Sequence, residues 1–330
     1  MPAVITHDLF GKDAYADVSA LLRFSSFDQH DAFLLGNQGP DPLFFLLLDP
    51  TFPAENRVGD LMHDERPAHL VCALRDSLSM LSERERPVGE AYAAGFLCHY
   101  LLDCTTHPLI IAEQRSICSA GVEGLDESDG GEVHAEIERE IDEMVLFTKT
   151  GKTVADWRPY RETLAASEEV LAVIDKMYFY TVMWTYSMML DLDTYTRSVH
   201  CFRNYLRLIW SKGGAKRKFI GRLEKPLLHK RYSLVEAMSH RVRAECTSAF
   251  DNADHRVWEH PYNQSSSTES FWDLYEEALD KVFDVQTSFF AKGFDLRDAV
   301  ALTGSVNFSG EVVDEGPIAS SEATTVGQGK

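Results

Sequence analysis

The chain has 330 residues, 45% of them apolar and 25% charged, a balance that excludes collagen-like, low-complexity and wholly disordered classes. Its 52 acidic and 32 basic side chains leave a net charge of −20, so it repels polyanions and non-specific nucleic-acid binding is not expected. Neither apolar cluster, Leu43 to Leu48 or Met177 to Leu190, reaches the roughly 18 to 20 residues of a membrane span.

The opening segment, Met1 to Asp13, carries His7, Asp8, Lys12 and Asp13 where a secretory leader needs a positive end and an unbroken apolar stretch. The cytoplasm is therefore the expected location. Apolar residues then recur every three or four positions through Ala68 to Leu81, Ala91 to Leu102, Val133 to Phe147, Leu164 to Leu190, Tyr195 to Trp210 and Phe271 to Phe290. Each run predicts a helix, and no stretch alternates convincingly as a strand. The fold class expected is all-α, a multi-helical bundle with long loops. Pro67, Pro87, Pro108 and Pro159 lie at the margins of these runs, where proline begins or follows a helix. From Ser305 to Lys330 the chain turns to small and acidic residues and reads as a mostly disordered tail, leaving one domain over 1–304.

Two segments, both expected to be loops, stand out by charge. Glu123 to Glu143 holds ten acidic residues against the single basic Arg139, which would draw a cation. Between Lys212 and Arg231, Lys212, Lys216, Arg217, Lys218, Arg222, Lys225, Lys230 and Arg231 face only Glu224. That segment is either a plain solvated connection or a contact for phosphate or a membrane surface, with Lys216, Arg217, Lys218 and Arg222 as the candidate residues. The six cysteines form no C-x-x-C pair, so reduced thiols in apolar surroundings are expected.

Histidine and carboxylate pairs carry the chemistry. In AYAAGFLCHYLLDCTTHP, His99 and Asp103 stand four apart on an apolar helix and so share a face. In VHAEIERE, His134 and Glu138 repeat the spacing. Such pairs are helix-borne half-sites for zinc, which a second helix can complete. His107, His63 and the Asp41 of GNQGPDPLFF add further ligand types, and 1–150 reads as a metal-binding half, with 151–304 a helical half rich in core aromatics. A buried His–Asp hydrogen bond that fixes helix register is the alternative for His99 and Asp103. No H-E-x-x-H, G-x-S-x-G, Walker or dinucleotide motif is present.

THDLFG, LLGNQGPDPLFF, LMH, HYLLDCTTHP and HAEIE, in that order over about the first 145 residues, resemble the zinc-dependent phospholipase C family, whose superfamily includes the S1/P1 nucleases. WEHPYN and SFWDLYEEA resemble the carboxy-terminal part of its intracellular bacterial members. The resemblance implies a phospholipase C/P1 nuclease-like bundle holding two or three Zn²⁺ ions. By resemblance, Asp41, His63, His99 and Asp103 hold one ion, His7 and Asp103 a second, and His107, His134 and Glu138 a third. Two departures are visible. Secreted members ligate metal with a processed amino-terminal tryptophan, where this chain reads Met1-Pro2, so a weaker, absent or differently held second ion is expected. They also place five residues between the equivalents of Asp103 and His107, where this chain has three, and Pro108 is expected to push His107 out of helical geometry.

The implied function is phosphodiester hydrolysis on a phospholipid or small phosphate ester, with Asp41 orienting or deprotonating the attacking water. The alternative is a non-catalytic, metal-stabilised helical scaffold or membrane-surface interaction protein. A nuclease ranks last, given the net charge.

Overall fold

The computed structural model describes residues 3–49, 51, 57–121, 124–228 and 232–316, with the side chains of 226–228 excepted. Thirteen helices in these segments form one bundle: α1 (Val4–Leu22), α2 (Phe27–Gly36), α3 (Val58–Asp64), α4 (Pro67–Ser77), α5 (Arg86–Ala120), α6 (Gly130–Thr150), α7 (Pro159–Glu162), α8 (Glu168–Tyr186), α9 (Thr194–Ile209), α10 (Ala215–Leu228), α11 (Leu234–Met238), α12 (Phe271–Phe289) and α13 (Leu296–Thr303). Among the described residues the strand content is one ribbon, β1 (Trp258–Glu259) paired antiparallel with β2 (Ser266–Ser267). The chain is all-α, and no described helix is long and apolar enough to cross a membrane.

The 35-residue α5 is the axis of the molecule, packed by α1, α2, α6, α8 and α12. Its Gly95 sits against α2: an added Cβ would lie 2.0 Å from the Phe33 carbonyl oxygen. Only glycine lets these two backbones meet. Serine caps begin α2, α8 and α12, where Ser26, Ser167 and Ser270 accept from the N–H groups of Gln29, Val170 and Asp273. Pro67 and Pro159 stand in the first turns of α4 and α7, as their positions in the sequence suggest.

Several expectations need correction. The run Leu164 to Leu190 is not one helix, because Leu164 is left-handed (φ 59°) and α8 runs only from its Ser167 cap to Tyr186, before Ser187 at φ 57°. Pro108 does not end its helix. Leu109, Ile110 and Ile111 are buried beyond it, and that burial outweighs the roughly 3 kcal/mol an interior proline costs. The acidic segment enters α6 at Gly130, and the basic segment is largely α10 rather than a loop, with His229, Lys230 and Arg231 outside the described residues.

The helix α1 has no counterpart among the predicted runs. Val4 through Gly11 are buried without interruption, polar residues included, so the segment shows no helical apolar stripe. It also lacks a cap of its own. Asp142 of α6 supplies one, accepting from the N–H groups of Ile5 (3.2 Å) and Thr6 (2.7 Å) and from Thr6 Oγ1 (2.6 Å), while His240 Nε2 donates to the same carboxylate (2.7 Å).

The expected tail is also ordered at its start. Residues 305–316 form a strap in which Phe308 is buried, Val306 bridges Val312, and Glu315 accepts from the N–H groups of Ala68 and His69 at the start of α4. Phe308 and Glu315 together anchor a segment whose composition reads as disordered. The rest of the expected tail, 317–330, lies outside the described residues.

Candidate metal centre

One face of α5 carries His99, Asp103 and His107 at successive four-residue steps, all above the same stretch of core. Because α5 runs straight through Pro108, His107 stays on that face, against the sequence expectation. Opposite it, α6 presents His134 and Glu138, α1 presents His7, α3 presents His63, and the 3₁₀ turn Asp41–Leu48 opens with Asp41.

Three groups of ligand-type atoms result, each with its atoms within 4.8 Å of one another: His7, Asp41 and His99; His63, His99 and Asp103; His107, His134 and Glu138. Short contacts chain them together. His7 Nε2 lies 3.0 Å from Asp103 Oδ1, His63 Nε2 lies 3.1 Å from Asp41 Oδ1, and His107 Nε2 lies 3.9 Å from Asp103 Oδ1. Glu138 Oε1 sits between His107 Nε2 (3.3 Å) and His134 Nε2 (3.4 Å). All eight residues named from the sequence thus meet in one continuous cluster.

The far side of four of the five rings is held as well, while His7 Nδ1 faces His99 Nδ1 at 3.2 Å. Nδ1 of His63 donates to the Gly59 carbonyl (2.8 Å), that of His99 to Asn37 O (3.1 Å), that of His107 to Phe308 O (2.7 Å) and that of His134 to Gln114 Oε1 (3.0 Å). With Nδ1 bound to an outward acceptor, each of these rings turns its Nε2 inward toward the carboxylates. This is the outer-shell arrangement that fixes the tautomer of a metal-binding histidine. None of these four acceptors is marked by a sequence motif, since three are backbone carbonyls.

The loop bearing Asn37 and Asp41 is clamped from behind. Hydroxyls of Tyr92, Tyr178 and Tyr195 gather on the Gly39 carbonyl, at 3.3, 2.9 and 3.3 Å, and those of Tyr92 and Tyr178 also share a hydrogen bond at 2.7 Å. Tyr178 and Tyr195 lie in the 151–304 half whose aromatics read as ordinary core, and Tyr92 lies in the motif that carries His99. They are core residues that also position the site.

The electrostatics suit a cation. Burial opposes ionisation of Asp103, yet His107, His99 and His7 hold its carboxyl far below the usual range. Burial likewise works against Glu138 and Asp41, and the surrounding histidines, His134 and His107 for the first, His63 and His99 for the second, keep both low. Burial drives His99 down to about 3, so its ring is neutral. Burial also lowers His107, but Asp103 and Glu138 overcome it and raise it to about 9.

The donor set fits metal. His99 Nε2 is buried without a hydrogen bond, although Asp103 Oδ2 is 3.2 Å away, because the geometry is wrong for one. An orphaned imidazole nitrogen facing buried carboxylates is costly in protein alone and satisfied by a divalent ion. Mixed imidazole and carboxylate donors are those zinc accepts.

The sequence profile described as zinc dependent phospholipase C matches residues 6–188, more than half of the chain, and the chain belongs to that family. All eight cluster residues fall inside the matched span, while α10 and the strap 305–316 fall outside it. No curated protein and no solved structure matches the chain at a comparable level.

Proposed function

We propose that this chain is a zinc-dependent phosphodiester hydrolase acting on a phospholipid or a small phosphate ester in the cytoplasm. The observation that carries the reading is the convergence of four inward Nε2 atoms on buried carboxylates, each ring locked from behind at Nδ1. Two or three ions would be held by the three groups, His7 with Asp41 and His99, His63 with His99 and Asp103, and His107 with His134 and Glu138. Bound zinc supplies an acidified water and a clamp for phosphodiester oxygens.

The chain's own groups do the remaining work. The hydrogen bond from His63 keeps Asp41 ionised against burial, and its carboxylate can accept the proton of an attacking water or hold that water in line. The tyrosine cage on Gly39 keeps Asp41 in register with α5. His107 and His134, at 12% and 24% side-chain exposure, form the more open end of the cluster, where substrate phosphate enters. A net charge of −20 disfavours nucleic-acid substrates. Peripheral contact of the 212–231 segment with a membrane belongs to the same reading.

The test is Asp41→Asn assayed on a soluble chromogenic phosphodiester and on phospholipid, with bound metal counted by elemental mass spectrometry. Loss of turnover by about a hundredfold or more with the fold retained supports the enzyme. Absence of turnover in the wild type with metal bound would favour the second reading, a metal-stabilised scaffold. That alternative draws on one observation: the group His7, Asp41 and His99 is fully buried, as closed structural sites are.

A further inference from the structure

Outside the metal cluster, the surface feature that departs most from its surroundings is the outer side of α10. From Lys212 to Leu223 the chain carries five basic residues and no acidic one, on a molecule whose net charge is −20. The fold sorts these residues. Arg217 turns inward beside Arg139, Arg241 and Glu236, and Lys225 pairs with Glu236 at 3.2 Å. Glu224, the acidic residue of the helix, is also turned in, bonded to Ser233 Oγ and to the Val235 N–H.

What remains outside is Lys216 and Arg222 around a pair of apolar side chains one turn apart, with Lys218 exposed at the rim of the cavity that Arg217 lines. Phe219 is 66% exposed and Leu223 56% exposed. At 100° per residue, Lys216 and Arg222 flank that pair on the two sides of one face. Lys216 Nζ lies 3.4 Å from the Arg207 carbonyl in an exposed contact near the end of α9, and the adjoining Leu208 is 57% exposed. On the α9 side, Arg161, His200, Arg203, Asn204 and Arg207 line a cavity of about 530 Å³. The acidic neighbour of that cavity, Glu168, is paired with His200 at 3.3 Å.

We propose that the outer face of α10, with the end of α9, is a docking surface for an anionic phospholipid bilayer. Apolar side chains centred on a helix face and flanked by long basic stems are the composition of an interfacial helix, with Phe and Leu entering the acyl boundary and Lys and Arg reaching lipid phosphates. Charge complementarity fixes the occupant. An anionic surface repels the remainder of this acidic molecule and attracts this face alone, which also sets the orientation of approach. The helix packs through α11 on α6, which carries His134 and Glu138, so docking and the more open end of the metal cluster share one rigid element. The proposal deepens the hydrolase reading by naming a bilayer as the source of substrate.

The experiment is co-sedimentation of the full chain with vesicles of phosphatidylcholine alone and of phosphatidylcholine mixed with phosphatidylglycerol, at low and high salt. The proposal expects binding to the anionic vesicles that weakens with salt. It expects a loss of about thirtyfold for K216E/R222E, at about one decade per charge or less, and of about tenfold for F219S/L223S. All four positions are exposed, so thermal unfolding should match the wild type and turnover of a soluble phosphodiester should not change. Equal binding to both vesicle types, binding that survives both double substitutions, or tight binding to RNA with none to vesicles overturns it. Vesicle binding without turnover on any substrate would sink the hydrolase reading alone, and soluble turnover without vesicle binding would sink the docking face alone.

Discussion

Gly39 lies directly on the ring of His99: a Cβ added to the glycine would stand 2.3 Å from His99 Cδ2. The residue is also left-handed, at φ 47°, where a side chain is strained in any case. The backbone passes over this imidazole at a distance no other residue permits, and so delivers Asn37 O to one side of His99 and Asp41 to the other. Gly39→Ala is expected to destabilise the protein by about 2 kcal/mol or more and to lower its metal content, both readable by thermal unfolding and elemental analysis. Full metal retention in the alanine variant would contradict this.

The third group, His107, His134 and Glu138, sits at one end of the cluster and shares no residue with the other two. Glu138→Gln should therefore cost one ion per chain and leave the rest, whereas His99→Ala should disturb both other groups, because His99 belongs to each. Metal counts on the purified variants check it. A uniform partial loss in both would mean the groups are not separate sites.

Asp142 joins α6 to the start of α1 and to His240. An asparagine keeps the size but loses acceptor capacity at a buried position, so Asp142→Asn should cost about 2 to 4 kcal/mol in urea unfolding. Since His7 follows the capped turn immediately, zinc affinity should fall alongside stability. A stable variant with unchanged affinity would show that α1 is held by packing alone.

Asp175 offers a pH test away from the cluster. Burial pushes its carboxyl above the usual range, against opposing hydrogen bonds from the Thr196 N–H (3.0 Å) and hydroxyl (2.5 Å). A raised folded-state value means that its stabilising contribution is full below the unfolded value and lost as pH rises through the folded one. The penalty of Asp175→Asn should accordingly shrink as pH rises above the usual carboxylate range, as followed by urea midpoints. A penalty that grows with pH would reverse the sign.

Removing the aromatic of the strap, Phe308→Ala, takes away ring contacts with His63 (4.9 Å), His99 (5.6 Å) and Tyr100 (5.1 Å). The expected cost is about 3 to 4 kcal/mol, with weaker zinc binding because the Phe308 carbonyl that orients His107 is no longer anchored. Calorimetry with and without a chelator reads both effects.

The reach of the sequence follows the physics of each feature. His99 with Asp103 and His134 with Glu138 were legible because a helix turns spacing into a shared face, and most amphipathic helices were legible for the same reason. The helix α1 was hidden because it is buried on every side near His7. Pro108 misled because a local rule about proline was overridden by burial farther along α5. The carbonyls of Asn37, Gly59 and Phe308 were invisible, since a backbone acceptor has no residue identity to read. The order in the strap rests on a few residues, Phe308 and Glu315 among them, within a stretch whose average composition argues for disorder.

That strap also bears on how the protein comes together. The bond from His107 to the Phe308 carbonyl closes a separation of 201 positions, and the one from Thr6 to Asp142 closes 136. Links of such span form late in folding, after the local α5 and α6 helices exist, because chain closure must be met before the contact rewards it. An ion arriving early finds only half-sites. The finished cage draws on residues from His7 to Phe308, so it is complete only when the two ends of the described chain have met across α5.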